Sequence, residues 1–177
     1  LLSFIMDSRT GLGRFRDFTI SNYQLMMKLI DYCRSEPDIE RLLLLPDVKE
    51  RVDFYFAQYD RFVDQVRRCT RVHAPMAVLD LRNETVIHAG NRFMIYALFP
   101  ETNISCHVTW TKGGENVMLA VGKSIFNRTN TTDIGDLMLA HGGGGHAAAG
   151  ACQVPAERAD AVLAEIVATV ERDQGLR

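Results

Sequence analysis

Four glycines in a row occupy positions 142–145, directly before His146. Glycine loses more conformational freedom on folding than any other residue, so a run of four is costly and needs a reason. One glycine is enough to end a helix, which leaves three without a structural explanation. The run therefore predicts a segment of backbone that a ligand approaches closely, with successive N–H groups available to phosphate oxygens.

The run matches neither of the common glycine-rich phosphate motifs. A dinucleotide fingerprint has a strand before its glycines and a helix after them. Here a short helix capped by Thr132-Asp133 is predicted before the run, and a strand over 149–154 is predicted after it. A P-loop would continue with Lys and then Ser or Thr, whereas His146 follows here.

The second part of the chain, from about residue 71, is predicted to be mixed α/β. Residues 104–110 alternate between apolar and polar, and a glycine turn leads from them into a second predicted strand over 117–124, so the two strands are expected to form a hairpin. Two further short strands, 77–81 and 84–87, are predicted around a polar turn, with a helix near 91–99. Pro155 is expected to open a final amphipathic helix. Strands that meet helices in this way indicate a mixed sheet flanked by helices.

The first part of the chain is predicted to be mostly helical after a buried strand at residues 1–6. Ser21 and Gln24 form a capping box. The helix they open is expected to bury one face, formed by Leu25, Met26, Leu29, Ile30 and Cys33. An apolar stripe over residues 48–66 predicts one long helix that packs against another element and connects two domains. A weaker alternative is that this stripe forms a homodimer.

Composition excludes several classes of protein. An apolar fraction of 47% and a charged fraction of 24% are ordinary for a globular domain, and no apolar run approaches the roughly 20 residues of a membrane span. The four cysteines are far apart and form no Cys-x-x-Cys pair, so we expect reduced, mostly buried thiols and a cytoplasmic protein.

Net charge is −2, which excludes a global basic field for non-specific nucleic-acid binding. An anionic substrate would have to be held locally. Two arginine clusters are candidates, although solvated surface charge explains either as well; they are Arg9, Arg14 and Arg16, and Arg67, Arg68 and Arg71. A short substrate fits this balance better than a long polymer.

The run Gly142 to His146, followed by Ala148, Ala149 and Gly150, resembles the glycine-histidine motif of the DHH-associated domain. This domain is the C-terminal lobe of RecJ-like exonucleases, oligoribonucleases, nucleotide phosphatases and exopolyphosphatase-like proteins. The resemblance implies a chain with three parts. Residues 1–46 would be the end of an α/β DHH catalytic domain, 47–70 a connector helix, and 71–177 the substrate-binding DHH-associated domain.

The resemblance also implies roles for individual residues. The substrate's phosphate or terminal nucleotide would be bound by residues of the motif and of the polar segment before it, namely Gly142, Gly143, Gly144, Gly145, His146, Ser124 and Arg128. The arginine segment is looser here than the family's Ser-x-Arg-Ser. Expected ligands are a nucleotide, a short single-stranded nucleic acid or polyphosphate. Trp110 and Phe126 are candidates for base stacking, but packing is the expected use of both.

The family's activity depends on two Mn²⁺ or Mg²⁺ ions, and Asp7 resembles one of their carboxylate ligands. The other ligands belong to Asp-x-Asp and Asp-His-His motifs, which do not occur in this sequence. We therefore expect them upstream in the gene, and we expect the chain alone to be inactive. The alternative is a stand-alone binding module, like the similar domains appended to alanyl-tRNA synthetases.

Overall fold

A computed structural model describes residues 1–6, 12 and 17–176, without the side chain of Ser3. The predictions for Asp7 and for Arg9, Arg14 and Arg16 lie outside these residues. The chain divides into two compact units, Leu1–Gln65 with Val86–Met94, and Val66–Thr85 with Ile95–Arg177. The three-part division inferred from sequence stays a prediction.

The first unit is helical. Its elements are α1 (Leu2–Met6), α2 (Asn22–Ser35), α3 (Ile39–Leu43), α4 (Pro46–Ala57) and the first part of α5 (Tyr59–Cys69). The predicted capping box opens α2, since the Ser21 hydroxyl accepts a hydrogen bond from the Gln24 N–H and the Gln24 side chain accepts one from the Ser21 N–H. The buried core includes Ile5, Leu12, Leu25, Leu29 and Val48.

Two predictions for this unit are wrong. Residues 2–6 form helix α1 and not a strand, because a short apolar run has no periodicity that separates a buried strand from a buried helix. In α2, Leu25 and Leu29 are buried as expected, but Met26 and Ile30 are about half exposed. The helix therefore buries a narrower stripe than its sequence indicated.

The predicted long helix over 48–66 is also interrupted. Helix α4 ends at Ala57, Gln58 is its C-cap residue, and α5 begins at Tyr59. Near this break, the Gln58 side chain lies 2.6 Å from His88 Nδ1, and the Phe62 ring lies against Gly90, where no Cβ would fit. The Phe62 N–H still donates to the Gln58 carbonyl at 2.8 Å, so the interruption is confined to one residue between two consecutive helices.

Arg51 is a fully buried cation in α4. Its guanidinium donates hydrogen bonds to Asn22 Oδ1 at 3.1 Å, to the Asp47 carbonyl at 3.1 Å and to the Ile20 carbonyl at 2.6 Å. It also lies 4.3 Å from the centre of the Phe18 ring. Burial lowers the pKa of Arg51, and the three acceptors compensate for the lost hydration of the charge.

We expect Arg51→Ala to lower the free energy of unfolding by about 3 kcal/mol, because it leaves several buried acceptors unpaired. Arg51→Lys should recover little, since one ammonium cannot reproduce the planar set of donors. Urea unfolding followed by circular dichroism measures the effect. Arg61→Ala, on the exposed surface of α5, is the matched control and should change stability by less than about 0.5 kcal/mol. Equal losses in both variants would contradict the prediction.

The second unit contains a six-stranded mixed sheet in the order β1-β2-β3-β4-β6-β5. The strands are β1 (Thr70–His73), β2 (Met76–Asp80), β3 (Ile104–Trp110), β4 (Asn116–Lys123), β5 (Gly144–His146) and β6 (Ala149–Pro155). Only the β2–β3 pair is parallel among these described strands. The helices are α6 (Met94–Leu98), α7 (Ile134–Leu139) and α8 (Ala159–Asp173), which a 3-10 turn (Ala156–Arg158) precedes. The predicted α/β class and the β3–β4 hairpin are confirmed.

Helices cover both faces of this sheet. On one face, the alternate residues of β3, β4 and β6 pack against α7 and α8 in a continuous buried core. On the other face, the Tyr96 hydroxyl of α6 lies 2.8 Å from Ser105 Oγ and donates to the Gly122 carbonyl at 2.6 Å. Ser105 and Gly122 are opposite each other in the β3–β4 register.

One predicted strand of this unit is absent, and two observed strands, β1 and β5, were not predicted. Residues 84–87 form no strand, and β2 pairs instead with β1, in the register Thr70 with Leu79. The Glu84 carboxylate accepts two hydrogen bonds from the Arg68 guanidinium, at 2.6 and 2.7 Å. Glu84, the first residue of the segment that was predicted as a strand, is thus bound to the end of α5.

All four cysteines are free thiols. Cys106 and Cys152 lie in the sheet core, where burial raises the pKa of both thiols, while Cys33 is exposed. Among the residues that the structure describes, no helix has the length and apolar character needed to cross a membrane.

Candidate functional site

The first two glycines of the run terminate helix α7. Asp133 caps the start of this helix, as predicted, by accepting a hydrogen bond from the Asp136 N–H. At the other end Gly142 has a φ of +77°, and the Gly142 and Gly143 N–H groups donate to the carbonyls of Leu139 and Met138. This pair of bonds is a Schellman motif. The N–H groups of Gly142 and Gly143 are thus used by the helix end and are not available to a ligand.

Close packing against β6 explains two more glycines. A Cβ on Gly143 would lie 2.1 Å from the Ala151 carbonyl oxygen, and one on Gly145 would lie 2.3 Å from that of Ala149. Gly144 is different, because a Cβ there would meet nothing within 4 Å and its φ is not in the left-handed region. Within the described structure, Gly144 alone of the four glycines has no packing or conformational reason to lack a side chain.

His146 ends β5 and is exposed. Its Nδ1 accepts a hydrogen bond from the Ala148 N–H at 3.2 Å. An imidazole nitrogen that accepts carries no proton, so the neutral ring carries its proton on Nε2. The local backbone therefore orients His146 as a hydrogen-bond donor on an exposed side chain, which suits a phosphate oxygen.

The polar segment before α7 begins and ends beside the turn that follows His146. At its start, the Lys123 N–H donates to the Ala148 carbonyl at 2.9 Å. At its end, the Ile134 N–H donates to the Ala147 carbonyl at 3.4 Å. We call residues 124–133 the polar loop. Both of its ends are bound to the turn that follows His146, so the loop and the histidine lie at one end of the sheet.

Ser124 has a structural role in this loop. It is buried, and its hydroxyl accepts hydrogen bonds from the N–H groups of Phe126 and Asn127, both at 3.1 Å. Arg128 is exposed, and its Nε donates to the Ile125 carbonyl at 3.2 Å. The remaining guanidinium donors of Arg128 can reach a ligand, whereas the Ser124 oxygen is engaged within the loop. The substrate-binding roles of both residues stay predictions.

Side chains three residues apart shape the polar loop. After Ser124, the Asn127 and Asn130 side-chain oxygens accept hydrogen bonds from the N–H groups two residues ahead, and Asp133 then caps α7. This spacing of Ser, Asn, Asn and Asp is visible in the sequence, and residues of these types favour such local bonds. It was the signal that could have identified the loop as an ordered structure.

Asn103 anchors the loop and was missed by the sequence analysis. It is almost fully buried, its carbonyl accepts the Ser124 N–H, and its side chain bonds Thr129 Oγ1 and Asn130 Nδ2, both at 3.0 Å. Asn103 thus contacts the start and the end of the segment that carries Arg128. Its partners lie 21 to 27 residues ahead, and no local pattern marks such a contact.

The structure also gives the surroundings of His141, the other histidine near the glycine run, and of the two aromatic candidates for base stacking. His141 Nδ1 lies 3.8 Å from Glu165 of α8, so this side chain faces that helix. The Trp110 indole N–H donates to the Arg82 carbonyl at 2.9 Å, in agreement with a packing role. Packing is the wrong expectation for Phe126, whose side chain is 69% exposed.

A groove of about 570 Å³ between α7 and α8 is a poor site for an anion. Neither His146 nor the glycines line it. Its carboxylates, Asp133, Asp136, Glu165 and Asp173, outnumber the one arginine, Arg172. Like charges would repel a phosphate there.

No metal centre can be built from the part of the chain that the structure describes, because it contains no group of three or more His, Cys, Asp or Glu that could hold an ion. Asp7, the predicted ligand, lies outside that part.

Comparison with known proteins finds relatives among solved structures. The chain is similar to a pGpG-specific phosphodiesterase, PggH, from Vibrio cholerae, with 52% identity and a TM-score of 0.80 over 97% of this chain. An exopolyphosphatase-related protein from Bacteroides fragilis has 14% identity and a TM-score of 0.49, over 83% of this chain and 44% of its own. The DHH domain of a member of the s1p family of ribosomal proteins has 18% identity and a TM-score of 0.43, over 75% of this chain and 32% of its own. No family model and no curated protein matches.

Only the first of these similarities is high enough to carry an argument. It extends over 58% of the length of PggH, so this chain corresponds to a little more than half of that protein. Half of the positions are identical, and the glycine-histidine motif lies at the end of a mixed sheet flanked by helices. The chain belongs to the DHH family of phosphoesterases.

Proposed function

We propose that this chain is the substrate-binding part of a phosphodiesterase that hydrolyses a short nucleotide such as pGpG. The observation that carries the proposal is the 52% identity to a pGpG-specific phosphodiesterase across 97% of the chain. Because the chain spans 58% of that protein, the activity of the complete enzyme is part of the proposal. Net charge of −2 supports a short substrate, since capture of long polymers relies on an extended basic surface.

The proposed binding site combines three groups at one end of the sheet. The Nε2–H of His146 and the free guanidinium donors of Arg128 would bind phosphate oxygens, with charge-assisted hydrogen bonds. Gly144 would let the phosphate approach the backbone, because the space where its Cβ would lie is open. Gly142, Gly143 and Gly145 would act indirectly, by forming the helix end and the β5–β6 contact.

We further propose that Mn²⁺ or Mg²⁺ supports hydrolysis and that Asp7 supplies one ligand. Carboxylate oxygens suit these hard cations, and bound metals provide a nucleophilic hydroxide and neutralise phosphate charge in this class of reaction. The described residues hold and orient the substrate. The Asp-x-Asp and Asp-His-His motifs are missing from this sequence, so the chain alone should bind pGpG without hydrolysing it.

Titration and turnover together test this function. Isothermal titration of the chain should give a smaller Kd for pGpG than for inorganic tripolyphosphate or a ten-nucleotide single-stranded RNA. The complete product of the gene should hydrolyse pGpG with Mn²⁺ or Mg²⁺ and lose that activity with a chelator. Binding without turnover by the complete product would favour a stand-alone binding module. Tighter binding of tripolyphosphate than of pGpG would overturn the nucleotide assignment.

A further inference from the structure

Phe126 is an exposed aromatic residue at the proposed phosphate site. Its side chain is 69% exposed, more than that of Trp110 at 38%. A large apolar side chain in water is unfavourable by about 25 cal/mol for each Å² left uncovered. Single exposed apolar residues are common on protein surfaces, so exposure by itself assigns nothing to Phe126. Its surroundings are what give it a role.

The backbone of Phe126 is held in place by the polar loop. Its N–H donates to the buried Ser124 hydroxyl at 3.1 Å. The next residue donates to the same hydroxyl, and Arg128 closes back on Ile125. The ring is therefore presented to solvent from a hydrogen-bonded turn, which lowers the entropy lost when a ligand orders it.

The polar loop, which carries this ring, lies at the same end of the sheet as the proposed ligand. Both ends of the loop are bound to the turn Ala147-Ala148 that follows His146. Arg128, a proposed phosphate donor, is two residues beyond Phe126. An exposed aromatic face beside donors for phosphate is the combination that binds a nucleotide, because the base stacks on the ring while the phosphate is hydrogen-bonded.

We infer that Phe126 is the base-stacking residue of this site, and that it makes the site prefer a nucleotide over base-free phosphates. The inference rests on the proposed function, since it uses the same phosphate donors. Aromatic stacking tolerates any base, because every base has a π-face. Phe126 therefore contributes affinity for nucleotides as a class.

Four variants with two ligands test the inference. Phe126→Ala should weaken pGpG binding about tenfold, in the range measured for loss of one stacked base, and should leave the Kd of inorganic tripolyphosphate unchanged. Phe126→Trp should keep or improve pGpG affinity. Phe126→Leu should lose most of it, because an aliphatic side chain is apolar but does not stack. Leu139→Ala, at a residue of α7 that is 66% exposed, is the matched control and should change neither Kd.

The outcomes separate this inference from the proposed function. If wild-type protein binds pGpG and Phe126→Ala binds it equally well, the stacking role is wrong and the proposed function stands. The inference also fails if Phe126→Leu binds pGpG like wild type, or if Phe126→Ala weakens both ligands equally. If the wild-type chain does not bind pGpG, the proposed function fails, and the stacking role fails with it.

Discussion

Gly143→Ala should lower the free energy of unfolding by about 3 kcal/mol, the upper part of the range for overpacked sites. The new Cβ would lie 2.1 Å from the Ala151 carbonyl oxygen and 2.7 Å from the Cys152 backbone, and neither is the end of a flexible side chain. Relief requires β5 to move away from β6. Urea unfolding gives the stability change, and hydrogen exchange of the β5–β6 amides reports where the structure has loosened.

Gly144→Ala is the matched control one residue away. Its Cβ meets nothing within 4 Å, so stability should change by less than about 0.5 kcal/mol. If the ligand approaches the backbone at Gly144, however, this variant should bind pGpG more weakly although it folds normally. Equal stability of the two variants would contradict the close contact of β5 with β6. Unchanged pGpG affinity in Gly144→Ala would remove Gly144 from the proposed site.

Local patterns predicted the elements that depend on neighbouring residues. Alternation over residues 104–110 predicted β3, the glycine turn after it predicted a second strand over 117–124 that is observed as β4, and Asp133 predicted the start of α7. In these cases the backbone conformation and the buried face follow from a window of ten or fewer residues. The strand prediction that covered residues 2–6 failed, because a run this short, with four apolar residues out of five, is compatible with either a helix or a strand.

The binding roles of the glycine run and of His146 stay predictions, and the structural reasons for the individual glycines could not be predicted from the sequence. The sequence indicated that a run of four glycines is costly. The reason for glycine at Gly143 and Gly145 is close contact with the backbone of β6, and this contact forms only when β5 and β6 pair. Asn103 orders the polar loop from 21 or more residues away. Such long-range contacts have no signature in one sequence. The polar loop itself does have a sequence signature, which is the spacing of Ser, Asn, Asn and Asp, because these side chains accept hydrogen bonds from the backbone two or three residues ahead.

His146→Ala should weaken pGpG binding about tenfold to a hundredfold. A hydrogen bond to a charged group contributes about 1.5–3 kcal/mol, and each 1.4 kcal/mol corresponds to a factor of ten in Kd. The side chain is exposed, so the variant should unfold at the same urea concentration as wild type. Isothermal titration at one fixed salt concentration measures the loss, since phosphate affinity depends on ionic strength.

Two amide substitutions separate the roles of the two ring nitrogens. Because Nδ1 accepts from the Ala148 N–H, the proton that faces the ligand is on Nε2. In His146→Gln an amide N–H takes the approximate place of Nε2, so this variant should keep much of the pGpG affinity. In His146→Asn a carbonyl oxygen takes the place of Nδ1, which preserves the turn but removes the outer donor, so it should bind as weakly as His146→Ala. The opposite order of affinities would mean that His146 acts by holding the Ala147-Ala148 turn, and the donor role would have to be abandoned.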